Sequence, residues 1–365
     1  MKNGSTESNK YWKYFVLAVV VILITGAIIY LESLKAHPAG NENFSSIQDE
    51  SGLYPKAPEL SGIYGWINTA PFNMSSLHGK VVIVDFWTYS CINCLRTLPY
   101  LNAWYDKYQN QGLVIIGVHT PEFNFEKNYD NVAMAVNKYG VKYPVVLDND
   151  YDTWNAYGNQ YWPRKYIIDK NGYIRYDHIG EGGYDETETQ IQQLLAEGTN
   201  NTLNASLGGL VNVTDETPDT SNTQEFYLGY SFALTRAENV GNDGGLVPDV
   251  EKNYTIAGTL SDNIPYLEGF WKSTTDNVLT ASNGTTSIYL KFSAKKAHVV
   301  VEGPIGAKVY VTIDNNTLNT EDVHDGYFTI DGPRLYTVYD GLYGTYTLKL
   351  STNTTGVGFD SFTFS

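Results

Sequence analysis

The stretch VDFWTYSCINCLRTLP (84–99) contains both cysteines of this 365-residue chain, Cys91 and Cys94. The apolar run VVIVDF (81–86) predicts a buried strand, and the apolar spacing over 91–109 predicts a helix directly after it. Cys91 is then expected at the start of the helix, where unpaired N–H groups and the helix dipole favour a thiolate. Cys94 lies one helical turn further in, close enough to resolve a mixed disulfide formed by Cys91.

A cysteine pair with this spacing could be a structural disulfide, half of a metal site or a redox pair. A disulfide that closes so short a loop removes little entropy from the unfolded chain, so it stabilises poorly. Zinc needs four ligands, and the six histidines are scattered singly along the chain. We therefore predict a redox-active Cys91–Cys94 disulfide, with no metal and no other cofactor.

Asp85 stands in the otherwise apolar strand before the cysteines. A lone buried carboxylate is costly, so we interpret it as a candidate proton acceptor for Cys94. The alternative is a hydrogen-bonded structural Asp at the end of a strand.

Strands alternate with helices over residues 55–198. Besides the strand before the cysteines and the helix that contains them, the predicted strands are LVIIGV (113–118), YPVVLD (143–148), KYIID (165–169) and YIRYDH (173–178), and further helices are expected near 131–139 and 185–195. The last two strands form a hairpin around an Asn-Gly turn. This order predicts an α/β domain with a mixed central sheet.

A polar segment at 199–224 reads as a linker, and short strands separated by turns follow it over 225–365. This pattern of short strands and turns predicts an antiparallel β-sandwich. Its aromatic residues are expected mostly in the core, although exposed rings could stack on sugars: Tyr266, Phe270, Trp271, Tyr336, Tyr339 and Tyr343. The turns at 242–244 and 314–316 carry Asp and Asn that could hold calcium, but turn formation explains them equally well.

The uncharged run YFVLAVVVILITGAIIYL (14–31) predicts a transmembrane helix, with a cytoplasmic tail at 1–13 and a linker at 32–54. The lysines before it leave the N-terminus in the cytoplasm and all that follows outside. A cleaved signal peptide is the alternative. The net charge of −16 argues against nucleic acid as a partner.

The cysteine segment resembles the active site of the thioredoxin fold, with matches at Asp85, Phe86, Trp87, Cys91, Cys94 and Pro99. The segment from Gly140 to Gly172 resembles the membrane-anchored thiol–disulfide reductases of cytochrome c maturation. This resemblance implies a cis Pro163 that faces the cysteines, preceded by Trp162. It also implies a substrate groove formed by Trp162, Pro163, Trp87 and Tyr89.

Almost everything after residue 55 resembles the DipZ-type proteins, including GVHTPEFNFEKN, EFYLGYSFALTRAENV and the terminal GFDSFTFS. Those proteins join a multi-helix membrane electron channel to a thioredoxin domain and a module that is similar to carbohydrate-binding modules. The resemblance therefore implies carbohydrate as a partner of the sandwich. This sequence has one apolar run in place of the channel, so electron flow of that kind requires a separate membrane electron-transfer channel as a partner.

Ile92 and Asn93, between the cysteines, carry no charge that would stabilise a thiolate, which favours a reductase over an oxidase. Arg96, one turn further on, could lower the Cys91 pKa and reduce that preference. His119 and Glu122 follow the second core strand and could lie at the rim of the site; a loop His and a solvated Glu are the alternative.

We therefore expect an extracytoplasmic thiol–disulfide oxidoreductase, bound to the cell membrane by one helix, that reduces disulfides in surface proteins or apocytochromes. One alternative is a cell-surface binding protein for carbohydrate or protein, in which the thioredoxin domain is a spacer. A second is a thiol peroxidase, because Thr88 precedes Cys91 at the spacing found in peroxiredoxins. The proline of that motif is absent, as position 84 is Val.

Overall fold

The first domain is built on a six-stranded mixed sheet in a computed structural model that describes residues 53–197, 208–218, 223–281 and 284–365. Its strands are β1 (Gly65–Ile67), β2 (Val81–Trp87), β3 (Leu113–His119), β4 (Val145–Leu147), β5 (Arg164–Ile168) and β6 (Ile174–Ile179). The spatial order is β1-β4-β3-β2-β5-β6. The predicted α/β fold with a mixed central sheet is confirmed.

Strand β2 lies inside this sheet and is buried along its whole length, in keeping with a sequence that is apolar except at Asp85. It runs parallel to β3 and antiparallel to β5. The carboxyl ends of β2 and β3 therefore meet at one edge of the sheet, together with the start of β5. The cysteine segment leaves β2 at this edge.

Helices cover both faces of the sheet. They are α1 (Ile92–Tyr108), α2 (Tyr129–Lys138), α3 (Asp152–Ala156) and α4 (Tyr184–Ala196). Helices α1 and α4 bury their apolar residues in one core cluster, and α3 contributes Trp154 to the cluster on the opposite face of the sheet. Helix α3 and strand β1 are too short for their periodicity to be detected in the sequence.

The C-terminal region is all β and antiparallel, as predicted. Its strands are β7 (Phe226–Tyr227), β8 (Glu251–Tyr254), β9 (Pro265–Ser273), β10 (Val278–Thr280), β11 (Thr286–Glu302), β12 (Lys308–Ile313), β13 (Tyr327–Thr329), β14 (Arg334–Thr352) and β15 (Gly358–Phe364). A short helix, α5 (Tyr230–Thr235), follows β7. We call residues 223–365 the C-terminal β domain.

Strands β11 and β14 are longer than the short strands predicted from the sequence: β11 joins the predicted strands SIYLKFSA and HVVVEG, and β14 joins RLYTVY and TYTLKLS. The register of the β11–β14 pair shifts between Ala294 and Lys296, so a bulge rather than a turn interrupts the pattern. The first half of β11 pairs with β9 and the second half pairs with β15. This double pairing bends the sheet over a single core cluster.

Most of the aromatic residues named from the sequence of this domain are in its core. Tyr266, Trp271, Tyr336 and Tyr339 are buried, which confirms that prediction, whereas Phe270 and Tyr343 are exposed. Each candidate calcium turn has one polar side chain occupied by backbone contacts. Asn242 bonds the backbone of residues 255 and 267, and the Asp314 carboxylate accepts from the Thr347 N–H.

Part of the predicted linker at 199–224 packs against the first domain. The Val211 N–H donates to Glu188 at 2.8 Å, and the Tyr100 hydroxyl donates to the Val213 carbonyl at 3.2 Å. The predicted transmembrane helix at 14–31 lies outside the described residues. Among the helices of the described ranges, none is long and apolar enough to span a bilayer.

Candidate active site

Cys91 caps the N-terminus of helix α1, and its sulfur is the outer member of the pair. The Cys94 N–H donates to Cys91 Sγ at 3.2 Å, and the two sulfur atoms are 2.6 Å apart. Both cysteines are free thiols. Cys91 is partly exposed, whereas Cys94 is fully buried. The fold thus presents one sulfur to a partner and holds the second directly behind it.

The electrostatic environment of Cys91 differs from the prediction. Burial raises the pKa of the Cys91 thiol, and the carboxylates of Glu122 and Glu225 raise it further. Hydrogen bonds from the thiol and backbone N–H of Cys94 act in the opposite direction without reversing the shift. The low pKa expected for Cys91 is therefore wrong, because desolvation and two carboxylates outweigh the helix start.

Cys94 lies deeper and is more strongly affected. Burial raises the pKa of its thiol well above the usual value, and the contact with Cys91 and the negative charge of Asp85 add to the shift. The thiolate is the nucleophile in disulfide exchange. Cys94 therefore needs a proton acceptor inside the protein before it can attack.

Asp85 is an unpaired carboxyl in the interior of the first domain. It is almost fully buried, and within the described part of the chain neither of its oxygens has a hydrogen-bond partner. Burial raises the pKa of Asp85 to about 7, and the positive charge of Lys165 limits the rise. The alternative of a hydrogen-bonded structural Asp is thus wrong, and a carboxyl with this pKa can exchange a proton near neutral pH.

Lys165 is the cation that faces Asp85, and the sequence reasoning missed it. The two residues are directly opposite each other in the β2–β5 ladder. Lys165 is fully buried, and its ammonium donates to the Gly180 carbonyl at 3.0 Å. Burial lowers its pKa, while the charges of Asp85 and Cys94 act against that decrease. A Lys in the apolar run of β5 was the available signal, but only strand pairing shows its partner.

The predicted groove residues divide into one surface residue and three buried ones. The Trp162–Pro163 peptide bond is cis, which confirms the prediction. Trp162 is partly exposed and donates its Nε1–H to the Thr120 carbonyl at 3.1 Å. Pro163, Trp87 and Tyr89 are buried. Trp87 and Tyr89 therefore do not line an open groove, because they pack around His119 in the core.

His119 is a core residue, so both its predicted rim position and the alternative of a loop position are wrong. It is the last residue of β3, opposite Trp87 in the ladder, and is fully buried. Its Nε2 lies 3.4 Å from the Thr88 hydroxyl. Burial lowers the pKa of His119 to about 3, so the ring is neutral at physiological pH.

The Arg96 guanidinium is engaged by Glu181 and Asn93. Its Nε donates to Glu181 at 2.6 Å, and one Nη donates to Asn93 at 2.7 Å and to Glu181 at 2.8 Å. The ion pair is largely buried. The guanidinium therefore fixes the turn that contains Asn93, and its charge is matched by Glu181.

Glu126 organises the backbone around the site, and the sequence carried no signal for it beyond an acid in a polar loop. It is fully buried in a one-turn 3₁₀ helix, Asn124–Lys127. Its carboxylate accepts from the Ser90 hydroxyl at 2.5 Å and from the Glu122 and Phe123 N–H groups at 2.5 and 2.9 Å. Glu126 thus ties the residue before Cys91 to the loop that carries Glu122.

Glu122 is partly buried, and its partner belongs to the C-terminal β domain. The Tyr227 hydroxyl donates to the Glu122 carboxylate. The alternative of a solvated Glu is therefore wrong. Sequence separation hides this contact, because the two partners are 105 positions apart along the chain.

The C-terminal β domain also covers the first turn of α1. Ile92 and Leu95 of that turn pack into an apolar cluster with Phe123 and Phe125 of the first domain. The other members come from the C-terminal β domain: Tyr227, Phe232, Val300 and Leu335. We call these eight residues the interdomain cluster. Residues 49–365 form one compact unit.

Among the described residues, no group of three or more His, Cys, Asp and Glu side chains is arranged to hold a metal ion. The chemistry available at this edge of the sheet is that of two adjacent thiols, a buried carboxyl and a buried ammonium.

Two family models match the chain, one in each domain. Residues 56–177 match the AhpC/TSA family, and residues 223–365 match the family described as thioredoxin like C-terminal domain. A crystal structure of a thiol:disulfide interchange protein of the thioredoxin family from Chlorobium tepidum is 23% identical. That match covers 39% of this chain and 97% of the other, with a TM-score of 0.34.

Two curated relatives bear on the family. Protein DipZ of Mycobacterium bovis is 39% identical over 250 residues, which are 68% of this chain and 35% of DipZ. The chain thus spans about a third of the length of the DipZ proteins that it matches. The thiol-disulfide oxidoreductase ResA of Bacillus thuringiensis is 32% identical over 122 residues, which are 33% of this chain and 67% of ResA. The chain belongs to the thioredoxin-like family of thiol–disulfide oxidoreductases.

Proposed function

We propose that the Cys91–Cys94 pair reduces disulfide bonds in other proteins. The observation that carries this proposal is the arrangement of the two sulfurs at the start of α1. One is partly exposed, and the other is buried 2.6 Å behind it. A cap position on the first turn also keeps both sulfurs at the edge of the sheet, where a partner can reach Cys91.

The exchange proceeds in two displacements. The Cys91 thiolate attacks one sulfur of the partner disulfide, which breaks that bond and releases the second partner sulfur as a thiolate that takes a proton. Cys94 then gives its proton to Asp85 and attacks Cys91 Sγ. The mixed disulfide breaks, the partner leaves as a dithiol, and two electrons have passed from this chain to the partner.

The electrostatics of the pair support the reducing direction. Strong oxidants of this type stabilise the thiolate of their reduced form. Here burial raises the pKa of both thiols, and the carboxylates around them disfavour thiolate further. A reduced form that is not stabilised in this way gives up its electrons readily.

We propose that the site acts outside the cytoplasm, with the apolar run at 14–31 as a membrane anchor. Partners of this location are surface proteins or apocytochromes, and a separate membrane electron-transfer channel returns electrons to the oxidised pair. The similarity to DipZ proteins supports this assignment. Protease treatment of intact cells should digest the chain if this is right, and complete protection would contradict it.

Trapping tests the proposed activity. In the full-length Cys94→Ser variant, Cys91 should accumulate as a mixed disulfide with partner proteins, and Cys91→Ser should trap none. The wild type should also reduce the disulfides of insulin in the presence of dithiothreitol. Failure of both assays would contradict the proposal, and rapid peroxide consumption with no insulin reduction would favour the peroxidase alternative.

One surface feature supports a second function, carbohydrate binding by the C-terminal β domain. Tyr310 is 47% exposed and packs beside Tyr327 with ring centroids 5.8 Å apart. The Lys308 ammonium lies 4.1 Å from the centre of the Tyr327 ring. Exposed rings of this kind can stack on sugar faces. Titration with a panel of oligosaccharides tests the function: heat of binding that Tyr310→Ala removes would support it, and no binding in the wild type would contradict it.

A further inference from the structure

The C-terminal β domain contributes side chains to the surroundings of the outer cysteine. Ile92, the residue after Cys91, packs in the interdomain cluster together with Tyr227. The Tyr227 ring lies 6.2 Å from Phe123 and 4.9 Å from Phe232, centroid to centroid. Its position is thus fixed by rings from both domains.

The Tyr227 hydroxyl lies between two carboxyl groups. It contacts Glu122 of the first domain, and it lies 3.1 Å from Glu225 Oε2 of its own domain. A phenol has one hydrogen and can donate it to only one acceptor. The second contact is therefore a hydrogen bond only if that carboxyl carries a proton, so both contacts are hydrogen bonds when one of the two carboxyls is protonated.

The charged groups that face this pair do not neutralise it. Arg236 stacks on the Tyr227 ring at 4.8 Å, but it is paired with Glu238 at 2.8 Å. Glu126 faces Glu122 from the first domain. Burial raises the pKa values of both Glu122 and Glu225. The charges of Glu225 and Glu126 raise the pKa of Glu122 further, whereas Arg236 acts against the shift of both carboxyls. A raised pKa at each carboxyl favours a protonated group in the pair.

We propose that the C-terminal β domain regulates Cys91 through this bridge, with Tyr227 as a positioning residue that holds a proton-sharing Glu122–Glu225 pair against the first turn of helix α1. The proposal rests on the proposed function of the cysteine pair. While the pair keeps its proton it carries one negative charge, and Cys91 ionises more easily. When the pair loses the proton it carries two charges, and the thiolate is disfavoured.

Alkylation of Cys91 by iodoacetamide tests the bridge, because it requires no disulfide partner. All proteins carry Cys94→Ser, so Cys91 is the only thiol, and the rate is measured from pH 5 to pH 10. Glu225→Gln should alkylate roughly fivefold faster at pH values above the inflection, where the parent pair has lost its shared proton and carries two charges, and should match the parent below the inflection. It should also lose the inflection caused by the shared proton.

Two further variants provide a second test of the bridge and a control for the loss of a carboxyl. Tyr227→Phe retains the ring and should move the inflection to higher pH, because the pair loses the hydroxyl that donates to its ionised carboxylate. Glu268→Gln, an exposed carboxyl elsewhere in the same domain, should match the parent protein. Identical profiles in Glu225→Gln, Tyr227→Phe and the parent would overturn the proposal. If Glu225→Gln does not fold, as circular dichroism would show, an inflection that Tyr227→Phe leaves in place overturns it.

Failure of this proposal and failure of the proposed function give different results. If the wild type reduces insulin but the variants leave the alkylation profile unchanged, the proposed reductase activity stands and the regulatory bridge is contradicted. If the variants alter the profile but the chain neither traps partners nor reduces insulin, the bridge stands and the reductase activity is contradicted.

Discussion

The two sides of the cysteine pair are built differently. On the inner side, Cys94 lies near Asp85 and Lys165, all within one domain, and Asp85 has no hydrogen-bond partner among the described residues. On the outer side, Cys91 lies near Glu122 and Glu225, which come from two domains and share the Tyr227 hydroxyl. Burial raises the carboxyl pKa on both sides, but only the inner carboxyl faces a buried cation.

The difference suits the two sides to different steps of disulfide exchange. An isolated carboxyl with a pKa near neutrality is suited to accept and return the proton of a buried thiol. A hydrogen-bonded carboxyl pair at a domain boundary holds its charge state more firmly, so it is suited to set how easily the outer thiol ionises. We therefore propose that the inner side serves resolution and that the outer side serves attack.

The largest expected effect is the loss of one cysteine. Cys91→Ser should reduce insulin roughly 1,000-fold more slowly or not at all, because the attacking sulfur is gone. Cys94→Ser should form the mixed disulfide and then stop. The time course of mixed-disulfide formation, followed by non-reducing electrophoresis, checks both. Turnover in Cys91→Ser would mean that Cys94 can attack from its buried position.

Asp85→Asn tests the inner side. Resolution should slow about 100-fold near pH 7, since an amide cannot accept the Cys94 proton. Single-turnover release of partner from the mixed disulfide measures this step. Attack by Cys91 should be nearly unaffected. An equal slowing of both steps would contradict the assignment of Asp85 to resolution alone.

The same variant should change stability in a pH-dependent way. The Asp85 pKa rises from 3.8 in a free side chain to about 7 in the fold. The protonated form therefore stabilises the fold fully below pH 4, and that stability is lost as the pH rises to 7. Asp85→Asn should be more stable than the wild type by about 1–3 kcal/mol at pH 8 and nearly equal to it at pH 4. Urea unfolding at both pH values measures the difference; a destabilised variant at pH 8 would contradict the assigned pKa.

Lys165→Met should move the pH profile of resolution. Without the buried ammonium the Asp85 pKa rises further, so the pH midpoint should shift upward by about one unit. Lys142→Met, which removes a largely exposed ammonium, is the matched control and should leave the midpoint in place. A downward shift would mean that Lys165 does not act through Asp85.

The smallest expected effect concerns the interdomain cluster. Phe232→Ala removes a ring that packs on Tyr227 and Phe123, and should destabilise the fold by about 1–3 kcal/mol. The pH profile of Cys91 alkylation should change with it, because Tyr227 loses support, while the release step governed by Asp85 stays constant. Met134→Ala, on an exposed helix face, is the control for truncation.

The inner side could be predicted from the sequence far better than the outer side. The strand, the helix start, both cysteines and Asp85 lie within 14 consecutive positions, where periodicity and local chemistry are sufficient. Lys165 was visible only as a residue in a predicted strand, because sequence does not show which residue it faces across a ladder. His119 was misplaced because its strand extends one residue further than its apolar run.

The outer side depends on contacts between domains. Tyr227 and Glu225 lie more than 100 residues from Glu122 along the chain, and no periodic pattern relates them. The predicted pKa of Cys91 failed for the same reason, since the helix start was known and the two carboxylates and the covering domain were not. The merged strands β11 and β14 show a related limit: a bulge and a turn look alike in the sequence.

The reducing role of the Cys91–Cys94 pair is best tested by its reduction potential in the full-length chain. The chain is equilibrated with mixtures of reduced and oxidised dithiothreitol or glutathione, and the oxidised fraction is read by thiol labelling. Raised thiol pKa values and a reducing role predict a value at or below about −270 mV. A value near −120 mV would contradict the account and make this chain an oxidant.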